Sequence, residues 1–184
     1  NVTYDFTPAT GQVVTAAQLT REDVSIENCN VCHQKLAFHG GSGRVEVRYC
    51  VVCHTNQRAY GQALATSTAG KFPALTETKS VNALTGITSY SYSPNTYVAD
   101  GEVSGNFNTM IHKIHQGKEL VKENYHYAGV VFDNKGFSKL GGGQRMCTTC
   151  HDSKVASTAE NYKLLPSRTA CGSCHDGIVW STGG

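Results

Sequence analysis

The 184-residue chain predicts a mainly irregular fold, with a few short helices and minor strand content, organised around bound groups rather than its own side chains. Three observations carry this. The chain has 19 glycines and a long Thr/Ser/Asn-rich middle, but few Leu, Ile, Phe and Met, so it is a poor builder of an ordinary core. Only 39% of it is hydrophobic and 16% charged. Its eight cysteines, moreover, all fall in Cys-x-x-Cys pairs, and a histidine directly follows each pair.

Composition excludes several classes. The formal net charge is +2, and no clustered Lys/Arg run offers a nucleic-acid surface. No stretch approaches the roughly 20 apolar residues of a membrane span. The opening NVTYDFTPAT lacks the charged and apolar regions of a signal peptide. There is no phosphate-binding glycine loop, no Ser-His-Asp candidate and no EF-hand-like carboxylate series. Asp100, Glu102 and Asp133 read as ordinary surface residues.

The four motifs are Cys29-Asn-Val-Cys32-His33, Cys50-Val-Val-Cys53-His54, Cys147-Thr-Thr-Cys150-His151 and Cys171-Gly-Ser-Cys174-His175. This is the attachment signature of c-type haem. Two thiols three positions apart reach the two vinyl groups of one porphyrin, and the adjoining histidine falls under the iron as proximal ligand. Zinc is the serious rival. The gaps from Cys32 to Cys50 (17 residues) and from Cys150 to Cys171 (20 residues) both parse as Cys₄ ribbons. The trailing histidines break the tie. With eight histidines in 184 positions, one falls at a given site about 4% of the time, and four together by chance on the order of a few times in a million. Disulfides and thioredoxin-like pairs leave those histidines unexplained.

Four haems c then become the core of a multihaem c-type cytochrome, a row of stacked porphyrins at about 46 residues each. Attachment occurs outside the cytoplasm, so the chain is expected to be extracellular or periplasmic, with its export signal removed. Each ferric bis-imidazole haem with its propionates adds about −1, which takes the oxidised holoprotein to about −2 and the reduced one to about −6.

Four histidines remain, His39, His112, His115 and His126, and four irons each need one distal ligand. Met110 and Met146 are the only thioethers, and Met146 abuts Cys147, a poor position for ligating that haem's far side. Bis-histidine closure gives electron transfer rather than small-molecule activation, and the absence of Met ligation favours low potentials. His112 and His115 lie in Asn108-Thr-Met-Ile-His-Lys-Ile-His-Gln-Gly117, which reads as a short helix ended by Gly117. Spaced i, i+3, they project the same way, so they serve two neighbouring haems rather than opposite sides of one. His39 precedes Gly40 and Gly41, which allow close approach of backbone to a flat ring. His126, in Tyr125-His-Tyr127, completes the count.

Taken in order, residues 1–28 hold strand-like runs at 2–6 and 13–15, with turn signals at Pro8 and Gly11. Residues 29–66 carry the first haem pair and a weakly helical stretch at 55–66. Residues 67–146 are loop, with one hairpin in the Thr/Ser/Tyr-rich part and the distal-histidine helix at 108–117. Residues 147–184 carry the second pair, bridged by a helix around 153–165 that stops at Pro166. The whole, 1–184, is expected to act as a single tetrahaem domain.

Cys29-Asn-Val-Cys-His-Gln-Lys-Leu-Ala-Phe-His-Gly-Gly41, Tyr49-Cys-Val-Val-Cys-His54 and Met110-Ile-His-Lys-Ile-His-Gln-Gly117 together resemble the haem lobes of the extracellular decahaem cytochromes of the OmcA/MtrC type, over roughly residues 29–175. The resemblance implies bis-histidine haems, distal roles for His39, His112 and His115, and a cell-surface electron conduit whose partners are other multihaem cytochromes and extracellular acceptors such as metal oxides. The chain departs from a lobe of that family in having four motifs where five are usual, and no cysteine outside the motifs for a lipid anchor. By size it is more similar to the tetrahaem, filament-forming cytochromes of the OmcE type. That likeness implies copies of itself as partners. Two motifs follow His126, the last spare histidine, so one spare histidine, His39 first, is expected to ligate an iron of the adjacent subunit. The alternatives are a monomeric tetrahaem shuttle and, further off, a reductase with one open haem.

Overall fold

The described helices are short, none longer than ten residues. In the computed structural model, which describes residues 4–15, 18, 21–39, 43–60, 64–94, 97–134, 137–139 and 146–183, they are α1 (Ile26–His33), α2 (Val47–Cys53), α3 (Phe107–Gln116), α4 (Asn161–Leu164) and α5 (Arg168–Cys174). The strands are shorter still: β1 (Leu64–Ala65), β2 (Thr76–Val81), β3 (Thr88–Ser93), β4 (Val98–Ala99), β5 (Glu102–Val103), β6 (His126–Tyr127) and β7 (Val130–Val131). Few short helices and small sheets are what the composition predicts. The chain divides into two compact units, Asn1–Cys53 with Arg145–Ser167, and His54–Gln144 with Arg168–Gly184.

In the first unit, the Ser25 side chain accepts the Glu27 N–H and starts α1, and Gln34, at φ 58, ends it. The Asn30 side chain then takes the Leu36 N–H at 2.7 Å and turns the chain away. Phe38 and Arg44 pair as an antiparallel bridge before α2 begins. The strand-like runs near the N-terminus reduce to one bridge, Phe6 with Val13, and residues 1–3 lie outside the described set. The helix expected around 153–165 forms only as α4. The reason is competition for backbone donors: the Ser157 N–H goes to the Glu22 carboxylate and the Thr158 N–H to the Glu22 carbonyl, which takes both out of a helical ladder. The described buried apolar residues of this unit are only Val47, Ala156 and Ala159.

The second unit holds the larger cluster, Ala65, Phe72, Ala99, Leu120, Tyr125, Tyr127 and Phe132, with Tyr97, Met110 and Ile114 against it. β1 runs parallel to β4, and β4 antiparallel to β5. β2 and β3 form the expected hairpin, Thr76 facing Ser93 and Val81 facing Thr88. β6 pairs with β7 and places His126 opposite Val131. The expected weak helix at 55–66 is a single 3-10 turn, Asn56–Ala59, followed by β1. α3 packs on α5. Its Asn106 cap accepts the Thr109 N–H, and Gly117 closes it at φ 54, with its Cα pressed so near the Asn134 backbone that a Cβ has no room.

Asp100, itself at φ 50, ties this unit together. Its carboxylate accepts the Ser67 N–H at 2.8 Å, the Ser67 hydroxyl at 2.7 Å and the Lys122 ammonium at 2.8 Å. Burial works to raise its pKa, but Lys122 and Ser67 outweigh burial and hold it below the ordinary 3.8. A depressed carboxyl contributes stability above its unfolded pKa and loses it as pH falls through the folded value. Asp100→Asn, which tolerates the same backbone, should therefore cost about 1 kcal/mol at pH 7. The difference from wild type should close below about pH 4 in thermal melts.

Candidate functional site

Each motif presents its two thiols on one side of a helical turn. Cys29 and Cys32 lie in α1, Cys50 and Cys53 in α2, and Cys171 and Cys174 in α5, all at i, i+3. Cys147 and Cys150 sit on a 3-10 turn, Cys147–Thr149, where that spacing eclipses the side chains. The histidine N–H continues the turn in the third and fourth motifs: His151 donates to the Cys147 carbonyl and His175 to the Cys171 carbonyl, each at 2.9 Å. Each ring thus follows the first cysteine of its motif at i+4.

All eight cysteines are described and no disulfide joins them. Among the described residues no three His, Cys, Asp or Glu side chains converge as a metal-binding group. Burial, then the neighbouring Cys150, pushes the Cys29 thiol up; burial does the same to Cys50, and burial with Cys32 to Cys150.

The imidazoles are oriented by backbone. His54 Nδ1–H donates to the Gly105 carbonyl at 3.0 Å, and His151 Nδ1–H to the Asp23 carbonyl at 3.0 Å. On α3, His112 donates to the Asn108 carbonyl and His115 to the Ile111 carbonyl, both at 2.8 Å. A carbonyl has no proton to give, so the bonded Nδ1 carries one, and in the neutral ring the lone pair is then on Nε2. That is the tautomer an axial ligand needs. His126 is 1% exposed, and burial lowers its pKa, holding the ring neutral. His39 is exposed and itself takes the left-handed conformation, φ 65; Gly40 and Gly41, and Gly141 to Gly143 before the third motif, lie outside the described residues. His33 and His175 are exposed. Met110 packs against the apolar cluster, and Met146 is exposed.

The first unit carries His33, His39 and His151; the second carries His54, His112, His115, His126 and His175, and the boundary falls between Cys53 and His54. The supports of these rings were not foreseen. The Asp23 carboxylate accepts from the Thr158 hydroxyl at 2.9 Å and the Asn161 amide at 2.7 Å, fixing the segment whose carbonyl holds His151. Tyr127 stands edge-on to His54 at 5.9 Å, its hydroxyl taking two Arg58 N–H bonds at 3.0 and 2.6 Å. Gly105 is closed in by the Tyr127 ring, leaving no space for a side chain beside the carbonyl that receives His54. His151 rests on Tyr162 and His115 on Phe137, each at 5.0 Å. Exposed valines 31, 51 and 52 stand between the cysteines, apolar surface that a porphyrin attached there would cover. Paired thiols outside disulfides, with imidazoles whose Nδ1 atoms are held by backbone carbonyls, fit haem c.

A family model described as "Outer membrane cytochrome MtrC/MtrF-like, domains II/IV" matches residues 21–183. The chain belongs to this family. It is a multihaem c-type cytochrome domain of the OmcA/MtrC type. It is 46% identical over 57 residues to the "Multiheme cytochrome MtrC" of Shewanella baltica (strain OS185), a match that covers 30% of this chain and 8% of that protein. The crystal structure of the outer membrane decaheme cytochrome OmcA superposes with a TM-score of 0.56 at 23% identity, over 94% of this chain and 21% of that one, which shows a shared fold. The chain thus spans about a fifth of OmcA and less than a tenth of MtrC. Among the described residues, no helix of this MtrC/MtrF-like domain is long and apolar enough to cross a membrane.

Proposed function

We propose that this MtrC/MtrF-like domain moves electrons outside the cytoplasm through four covalently bound bis-histidine haems c, and is not an enzyme. Cys29 and Cys32, Cys50 and Cys53, Cys147 and Cys150, and Cys171 and Cys174 would hold them. His33, His54, His151 and His175 would be the proximal ligands, and His39, His112, His115 and His126 the distal ones. Bound haem supplies reversible one-electron iron chemistry. The chain holds the iron sites in fixed positions, closes both axial positions and sets potentials through burial and nearby charge. The observation that carries this reading is the set of four Nδ1–H bonds to carbonyls at His54, His151, His112 and His115, two proximal and two distal candidates alike. The resting holoprotein should show only low-spin ferric haem by EPR, and its reduced form should take up no carbon monoxide. A high-spin signal from an open haem would instead support the reductase alternative.

The partners proposed are other multihaem cytochromes, extracellular acceptors such as metal oxides, and copies of the chain itself in a filament or tight assembly. His39, exposed beside the Phe38–Arg44 bridge, suits a ligand donated to a neighbouring subunit. His39→Ala should then sediment as monomer with one high-spin iron where wild type sediments as polymer. Polymers that survive with all irons six-coordinate refute the crossing ligand, and a monomeric wild type supports the shuttle.

A further inference from the structure

Lysine is almost never fully buried unless paired, because the ammonium loses its hydration. Lys113 is 0% exposed. It stands on α3 between His112 and His115. At about 100° per residue its side chain leaves the helix on a side that neither ring uses. Its Nζ donates to the Ser173 carbonyl at 3.4 Å, lies 3.5 Å from the Glu102 carboxylate and sits 4.2 Å above the centre of the buried Tyr125 ring. Ser173 lies between the two cysteines of the fourth motif, and its hydroxyl donates to the Thr169 carbonyl at 2.5 Å within α5. Asp176, just after His175, accepts the Val121 and Lys122 N–H groups, each at 2.9 Å. A buried cation and its carboxylate partner therefore sit against the Cys171–Cys174 turn, where low polarisability lets a fixed charge act strongly.

We infer that the Lys113–Glu102 pair is a positioning and potential-setting device for the haem carried by Cys171 and Cys174, with Lys113 favouring the reduced iron and Glu102 opposing it. The inference rests on the proposed haem attachment at that motif. An electron added to the iron adds negative charge, which a nearby ammonium stabilises and a nearby carboxylate does not. The same Nζ donation ties α3, the helix of two candidate distal ligands, to the backbone of the fourth attachment turn.

The test is a spectroelectrochemical titration of the haem-loaded full chain and three variants. Lys113→Met should move one of the haem midpoints to lower potential, Glu102→Gln should move the same one higher, and Lys113→Arg should leave it near wild type. In a Cys171→Ala/Cys174→Ala background, the Lys113→Met shift should vanish. Glu102 keeps 30% of its side chain exposed, so its variant tests the charge effect even where Lys113→Met does not fold. Opposite signs from the two ends of one pair are what a purely structural role cannot produce, because loosened packing wets the haem in the same sense in both variants. Shifts of equal sign, no shift in either, or a shift that persists without the fourth motif's cysteines overturn the inference. Failure of the haem reading looks different, since wild type then carries no haem at Cys171 and Cys174, and the inference falls with it.

Discussion

His115→Ala should convert one low-spin iron in four to a five-coordinate, carbon-monoxide-binding site, and His112→Ala should convert a different one. The double variant should open two. Both rings leave α3 from positions three apart, each with Nδ1–H on the carbonyl four residues back, so both Nε2 atoms project from the same side of the helix. Two imidazoles arranged this way cannot clamp one iron from opposite directions. On the proposed ligation each closes its own, and two porphyrins would then lie close to one short helix. The effect is the largest expected here because it changes coordination rather than tuning it, and nothing nearby replaces the lost ligand: Met110, the thioether on the same helix, is committed to the apolar cluster. High-spin EPR intensity and the reduced-plus-carbon-monoxide difference spectrum, counted per haem, provide the readout. One open iron in the double variant would place both histidines on a single site or leave one of them unligated.

Asp23→Ala should destabilise the first unit by about 3 kcal/mol, the scale of two hydrogen bonds to a charged acceptor lost at once. The Asp23 carboxylate receives the Thr158 hydroxyl and the Asn161 amide, and both donors are partly buried. With those bonds gone, the segment bearing the Asp23 carbonyl loses its tether, and that carbonyl orients His151. The variant should therefore melt earlier and also show a spectroscopic change at one haem, as an axial imidazole reorients. Asp23→Asn keeps the acceptor oxygen and should recover most of the stability. Equal losses in both variants would mean that charge alone, not the hydrogen bonds, holds this segment.

The motifs, the spare histidines and the α3 helix are legible in the sequence because covalent haem chemistry and helix periodicity both write themselves in fixed spacings. His112 and His115 could be placed on one helix side from i, i+3 alone, and Gly117 as its stop from its residue type, and it does close α3 at φ 54. The β2–β3 hairpin was readable as a single hairpin in a Thr/Ser/Tyr-rich stretch for the same local reason. What was not legible depends on long-range partners. The helix expected at 153–165 has a reasonable local pattern, but Glu22, some 135 residues upstream, captures two of its backbone donors. The orienting carbonyls of Asp23 and Gly105 leave no trace in residue type, since any residue has a carbonyl. Nothing local to Lys113 signals its burial; only tertiary structure shows that Glu102 and Ser173 enclose it. At His39 the histidine itself carries a positive φ, which its residue type does not announce.

The most direct test of the account is the intact mass of the purified protein under denaturing, reducing conditions. Thioether bonds survive that treatment, so the chain should run heavier than its amino-acid mass by four haems, and by three in the Cys171→Ala/Cys174→Ala variant. A wild-type chain at its bare mass, or one that releases zinc instead of iron porphyrin, would contradict the account at its base.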